Sequence, residues 1–152
     1  MKKTVLLFFL VLTASVLLNA AIPPYGRERD PFKDLAEAKK TAAADGKRIL
    51  MFVGGPWCKW CVILDNFLKN DPELAVLLEK NYVVLKIYAE SDLTPNGLFM
   101  AKFPSPDGYP HLYVLSEKGE LLISQRTDVL EKGQSYDKVK VKDFLLKNAV
   151  KK

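Results

Sequence analysis

Ile49-Leu50-Met51-Phe52-Val53-Gly54-Gly55-Pro56-Trp57-Cys58-Lys59-Trp60-Cys61 is the stretch that decides the fold. Five consecutive apolar residues closed by Gly-Gly-Pro fit a central parallel strand covered on both faces. The two cysteines that follow are the chain's whole complement and stand three positions apart. They therefore lie at the C-terminal end of a buried strand, where a helix opens. A thiolate at a helix N-terminus is favoured by unpaired backbone N–H groups and by the dipole. A Cys-x-x-Cys pair also closes a disulfide within one helical turn, so Cys58 is the expected nucleophile and Cys61 the resolving thiol. Two blander alternatives stay open. One is half of a zinc site, although a structural site ordinarily takes four Cys or His ligands and the chain has a single histidine, His111. The other is an inert staple, although so short a loop removes little entropy from the unfolded chain.

Outward from this stretch, helical and strand patterns alternate. Before it, Asp30 caps and Pro31 opens a helix with an apolar face of Phe32, Leu35, Ala36, Ala42 and Ala43, ended by Gly46. After it, the cysteine helix carries Cys61, Leu64, Phe67 and Leu68 inward. Asp71-Pro72 either kinks that helix or starts a second one bearing Leu74, Leu77 and Leu78, with Asn81 as its stop. Tyr82 to Tyr88 reads as a second strand whose one charged residue is Lys86. Thr94-Pro95 caps a short helix through Met100, and the loop Phe103-Pro104-Ser105-Pro106-Asp107-Gly108 leads to Tyr109-Pro110. The period then changes to that of an antiparallel hairpin, Leu112–Leu115 and Leu121–Ser124, turning at Glu117–Glu120. A closing helix from about Tyr136 is expected to bury Val141, Phe144, Leu145 and Ala149.

The N-terminus implies a compartment. Met1-Lys2-Lys3 is a short basic region, Val5 to Leu18 is almost unbroken apolar sequence, and Leu18-Asn19-Ala20-Ala21 offers small residues for cleavage, the pattern of a secretory signal peptide. The apolar run is shorter than the roughly 20 residues of a membrane span. Residues 1–20 are thus expected to be a signal peptide and residues 21–152 a single domain, with no stable membrane anchor after cleavage. No cysteine follows the cut and no KDEL-type signal closes the chain, so a periplasmic location is expected, with secretion as the alternative. Losing Lys2 and Lys3 lowers the formal charge from +5 to +3, and the remaining basic residues are interspersed with acids. Lys138-Val139-Lys140-Val141-Lys142 is the densest basic run, but no aromatic interleaving accompanies it, so nucleic-acid binding is not expected.

This order resembles the thioredoxin superfamily over most of Asp30 to Lys147, an α/β fold with a central mixed sheet of about four strands flanked by helices. The resemblance is carried by Trp57-Cys58-Lys59-Trp60-Cys61 and by Gly108-Tyr109-Pro110 before the hairpin. It implies a cis-proline at Pro110, the one residue type for which a cis bond is cheap. It also implies that the loop packs beside the disulfide and that the Tyr109 backbone pairs with substrate in strand fashion. The implied activity is thiol–disulfide exchange: Cys58 thiolate attacks a partner disulfide, and Cys61 resolves the mixed disulfide. Lys59 beside the nucleophile favours thiolate. Trp57 serves either packing or as a platform beside the disulfide, and Trp60 is expected on the partner-facing surface.

Two departures from the family pattern stand out. Six positions before the first cysteine, thioredoxin has a buried aspartate that assists proton transfer to the resolving thiol, whereas this chain has Phe52. Lys86 matches the strand lysine that pairs with that aspartate, so it either acts on Cys61 directly or snorkels to the surface. The connection from Glu90 to Tyr109 also looks longer than in plain thioredoxin, and long loops beside active sites carry partner specificity.

The expectation is an exported thiol–disulfide oxidoreductase acting on exported proteins with thiols or disulfides, with reduction slightly favoured. It would be recharged by a redox partner protein or a small thiol. No flavin or nicotinamide fingerprint is present, and no bound cofactor or metal is expected. The rival from another class is a copper or zinc binding or delivery protein that adds His111 to the two thiols. A non-enzymatic peptide-binding adaptor is the third alternative. The oligomeric state is not readable from the sequence.

Overall fold

β1 (Arg48–Gly54) shows how the fold is assembled. Successive strand side chains point to opposite faces, so its apolar run divides into Leu50 and Phe52 on one side and Ile49, Met51 and Val53 on the other. All five are buried, and each set anchors its own core cluster. The computed structural model describes residues 23–90 and 93–151. The expected signal peptide lies outside the described residues. Among those described, no helix is long and apolar enough to cross a membrane.

The sheet is mixed and four-stranded, in the order β2-β1-β3-β4. β2 (Tyr82–Tyr88) runs parallel to β1, with Phe52 opposite Lys86 and Gly54 opposite Tyr88. β3 (His111–Leu115) is antiparallel to β1, and β4 (Leu121–Arg126) is antiparallel to β3. The hairpin therefore starts at His111 and runs on to Arg126, slightly beyond the expected bounds, with a register shift between Val114 and Leu115.

On the Leu50 and Phe52 face lie α2 (Lys59–Asn70), α3 (Pro72–Asn81) and α5 (Lys138–Lys147), contributing Leu64, Leu68, Leu74, Leu78, Val141, Phe144 and Leu145. Phe67, expected inward, is only partly buried at the edge of this cluster. α2 and α3 are separate helices because Asp71 caps the second one. Its carboxylate accepts from the N–H groups of Glu73 and Leu74 at 3.0 and 3.2 Å, and Pro72 fits the first turn.

The opposite face is covered by α1 (Pro31–Asp45) and α4 (Pro95–Met100). Asp30 caps α1, and Gly46 ends it in the left-handed conformation at φ 64° that glycine tolerates best. The buried face of α1 differs from the expected one: Pro31, Ala38 and Ala42 are buried and Leu35 partly so, while Phe32, Ala36 and Ala43 are exposed. Ala38 and Ala42 are one turn apart and allow close approach to the sheet. Ala36, two residues from Ala38, is rotated by about 200° to the far side. Phe32 instead meets Phe99 of α4 edge-on, with ring centroids 5.2 Å apart.

Between β4 and α5 is a small hairpin, β5 (Glu131–Lys132) with β6 (Ser135–Tyr136), where the sequence pattern had placed the start of the closing helix. α5 begins later because Asp137 caps it, accepting from Val139 and Lys140 N–H groups. Ala149, expected to be buried by that helix, lies beyond its end and is partly exposed.

Candidate functional site

The turn Gly55-Pro56-Trp57 carries the chain from the end of β1 into α2, and Cys58 is the N-cap of that helix. Cys58 and Cys61 form a disulfide with Cα atoms 5.2 Å apart. Cys58 Sγ accepts a hydrogen bond from the Cys61 backbone N–H at 3.1 Å, one of the N–H groups a helix start leaves unpaired. That sulfur thus stands where partial positive charge gathers, the setting that favours a thiolate. The two cysteines differ in access: Cys58 retains 7% of its surface and Cys61 only 1%. Lys59 is exposed, so solvent screens its charge.

The loop before β3 ends beside the strand that leads into the cysteine motif, since His111 pairs with Val53 near the end of β1. The Tyr109–Pro110 peptide bond is cis. Thr127 Oγ1 donates to the Pro110 carbonyl at 2.7 Å, and the Tyr113 hydroxyl donates to the Pro104 carbonyl at 2.6 Å, tying the loop down at both ends. Tyr109 is half exposed and meets Trp57 edge-on at 5.5 Å. Trp57 is itself 54% exposed. Trp60, expected on the partner-facing surface, is half-buried. It packs on the α2-side core and meets the Tyr136 ring edge-on at 5.6 Å.

Lys86 does not snorkel to the surface: its ammonium forms an ion pair with Asp65 Oδ2, with 1% of the Lys86 side chain exposed. The alternation of β2 turns Lys86 toward α2, and Asp65, one turn after Cys61, lies on the matching helix face. Burial pushes the Lys86 ammonium below its ordinary value, opposed by the Asp65 charge. The ammonium also lies 4.3 Å from the ring centre of Tyr25 and 5.7 Å from that of Phe52.

Asp65 and Tyr25 escaped the sequence analysis. Asp65 was recoverable from its i+4 spacing to Cys61 and from the need of a buried strand lysine for a counter-charge. Tyr25 lies in an irregular segment before α1, where no periodicity signals burial. Gly54 closes the site from below: a side-chain carbon there would collide with Cys61 Sγ and lie 3.2 Å from the Tyr25 hydroxyl oxygen. Only glycine lets the sulfur and the hydroxyl gather over the end of β1.

His111, the remaining candidate, is buried on the α1 side of the sheet, and its Nε2 is hydrogen-bonded to Ser124 Oγ at 2.8 Å. Burial lowers its pKa, opposed by Asp107 and reinforced by Arg126. Among the described residues, no group of three or more His, Cys, Asp and Glu side chains is arranged to hold a metal ion.

A sequence model of the family described as thioredoxin-like matches residues 30–116, more than half of the chain. The chain belongs to the thioredoxin-like family. Its fold superimposes on a disulphide isomerase from Xylella fastidiosa Temecula1, with a TM-score of 0.66 and 21% identity over 82% of this chain and 95% of that one. A thioredoxin from Thermus thermophilus follows at 0.53 and 20% identity, covering 84% and 86% of the two chains. The C-terminal domain of Neisseria meningitidis DsbD in the oxidised form matches at 0.53 and 14% identity, covering 83% and 99%. No curated protein matches the sequence significantly. At these identities the likeness is one of fold, and the chemistry of this thioredoxin-like protein has to be argued from Cys58, Cys61 and their surroundings.

Proposed function

We propose that the protein is an exported thiol–disulfide oxidoreductase that reduces disulfides of exported proteins, with Cys58 as nucleophile and Cys61 as resolving thiol. The observation that carries this is the seat of Cys58 Sγ at the N-terminus of α2, hydrogen-bonded to the Cys61 N–H, with Cys61 more deeply buried behind it. Cys58 thiolate attacks one sulfur of a partner disulfide, forming a mixed disulfide and releasing the other sulfur as thiolate. Cys61 thiolate then attacks Cys58, restoring the internal disulfide and releasing the second partner sulfur. Two electrons pass to the partner, and a redox partner protein or small thiol returns them. Trp57, next to Cys58 in the chain, meets Tyr109 edge-on, and both rings are exposed, a surface that suits an extended polypeptide running past Pro110. The structures named a disulphide isomerase, a thioredoxin and a DsbD domain share this fold and support the same class of chemistry. Export to the periplasm rests on the Met1–Ala20 pattern.

The assignment of roles is tested by trapping. A Cys61→Ser variant incubated with a periplasmic extract should accumulate mixed disulfides through Cys58, visible as thiol-sensitive bands on a non-reducing gel. Cys58→Ser should accumulate none. Equal trapping by both variants overturns the assignment.

A further inference from the structure

Resolution requires Cys61 to lose a proton, and with 1% of its surface exposed it is poorly placed to lose it to water. The groups around it are therefore decisive. Two polar atoms in this region are buried without a hydrogen-bond partner: the Tyr25 hydroxyl and Asp65 Oδ1. An orphaned polar atom is costly to bury, and two on residues that share the Lys86 ammonium call for an explanation. The hydroxyl and Cys61 Sγ both lie against Gly54, and the Asp65 charge acts on the hydroxyl. Lys86 occupies Asp65 Oδ2 and lies over the Tyr25 ring, which leaves Oδ1 as the free acceptor and brings the phenol and the carboxylate to the same ammonium.

We propose that the Tyr25 hydroxyl relays the Cys61 thiol proton to Asp65. The Cys61 S–H donates to the phenol oxygen as the phenol O–H donates to Asp65 Oδ1. Tyr25 ends as it began, Asp65 becomes protonated, and Cys61 becomes a thiolate. That thiolate attacks Cys58 of the mixed disulfide, and the partner sulfur leaves with the electron pair of the broken bond. A phenol suits this task because burial and the Asp65 charge hold it protonated, so it passes a proton without storing one. The other titratable groups facing this cluster are Lys69 on α2, Lys86 on β2 and Tyr136 on β6.

The relay rests on the exchange reaction proposed above, and one experiment separates the two. Fully reduced protein is mixed with dithionitrobenzoate, and release of the coloured thiolate is followed by stopped flow from about pH 6 to pH 9. The first phase reports attack by Cys58 and the second reports resolution by Cys61. In Tyr25→Phe the first phase should be unchanged. The second should slow by roughly 100- to 10,000-fold near pH 6 to 7, the scale of a lost proton-transfer group, and converge on wild type at the alkaline end, where hydroxide takes the proton directly. Asp65→Asn should show the same profile in its second phase. Coincident wild-type and Tyr25→Phe profiles overturn the relay, as does a slowing by the same factor at every pH, which marks a merely structural role. Absence of both phases in the wild type defeats the exchange reaction itself, and the relay with it. Tyr25→Phe removes only a hydroxyl without a hydrogen-bond partner, so the variant should fold and melt as the wild type does.

Discussion

Cys58→Ser should lose all turnover in reduction of insulin disulfides by dithiothreitol, falling to the rate of dithiothreitol alone. A serine hydroxyl is almost wholly protonated at neutral pH and forms no mixed disulfide, so the helix N-terminus that favours the Cys58 thiolate has nothing to act on. Cys61 does not substitute, because it lies behind Cys58 with 1% of its surface exposed. The loss is chemical and not a failure to fold. Closing a loop as short as that between Cys58 and Cys61 adds about 2 kcal/mol or less, while two core clusters on the two faces of the sheet hold the molecule together. Thermal unfolding of the variant checks this, and turnover above the dithiothreitol background would contradict the assigned nucleophile.

Asp65→Leu should destabilise the protein by about 3–5 kcal/mol, while Asp65→Leu combined with Lys86→Met should fall within about 1 kcal/mol of wild type. The single substitution leaves an ammonium with 1% side-chain exposure and no carboxylate partner, held only by the Tyr25 and Phe52 rings. The double substitution removes both charges and fills the same space with apolar atoms. The single variant has a pH signature. Burial lowers the Lys86 pKa in the folded state, so the unfolded chain holds that proton more tightly. Stability therefore rises as pH climbs from the depressed folded value toward the ordinary lysine value, and the Asp65→Leu penalty shrinks on that rise. Urea denaturation at neutral and at alkaline pH measures both effects. A double variant as unstable as the single one would show that Asp65 contributes through packing and not through charge. The double variant should also resolve mixed disulfides slowly despite its stability, which separates the ion pair's structural part from its part in the relay.

Much of this site was legible in the sequence because strong local signals coincide there. An uninterrupted apolar strand, a Gly-Gly-Pro stop and a cysteine at the first helical turn each point to the same junction, and β1, β2 and α4 follow the expected pattern closely. The cap residues Asp30 and Thr94 act as their side-chain chemistry suggests. Period was a poorer guide on α1, where two alanines one turn apart outrank the larger Phe32 in setting the buried face. The hairpin of β5 and β6 was not legible, since two residues per strand are too few to alternate. Phe52 stood out as the loss of an acid from β1, but the sequence did not show that α2 places Asp65 beside the same lysine. That pairing is made across 21 residues by the fold. Tyr25 was hidden for the same reason: its burial is decided by tertiary packing over the end of β1 and not by any pattern around it.

The central claim is that Cys58 and Cys61 are a reversible redox couple and not a staple. Equilibrating the mature protein in graded thiol buffers, with the disulfide fraction read by alkylation, tests it most directly. The account predicts a two-electron midpoint within the span of thioredoxin-fold oxidoreductases, roughly −120 to −270 mV, and nearer the reducing end if the protein is a reductase. A pair that stays oxidised until well below about −300 mV, as structural disulfides do, would contradict it.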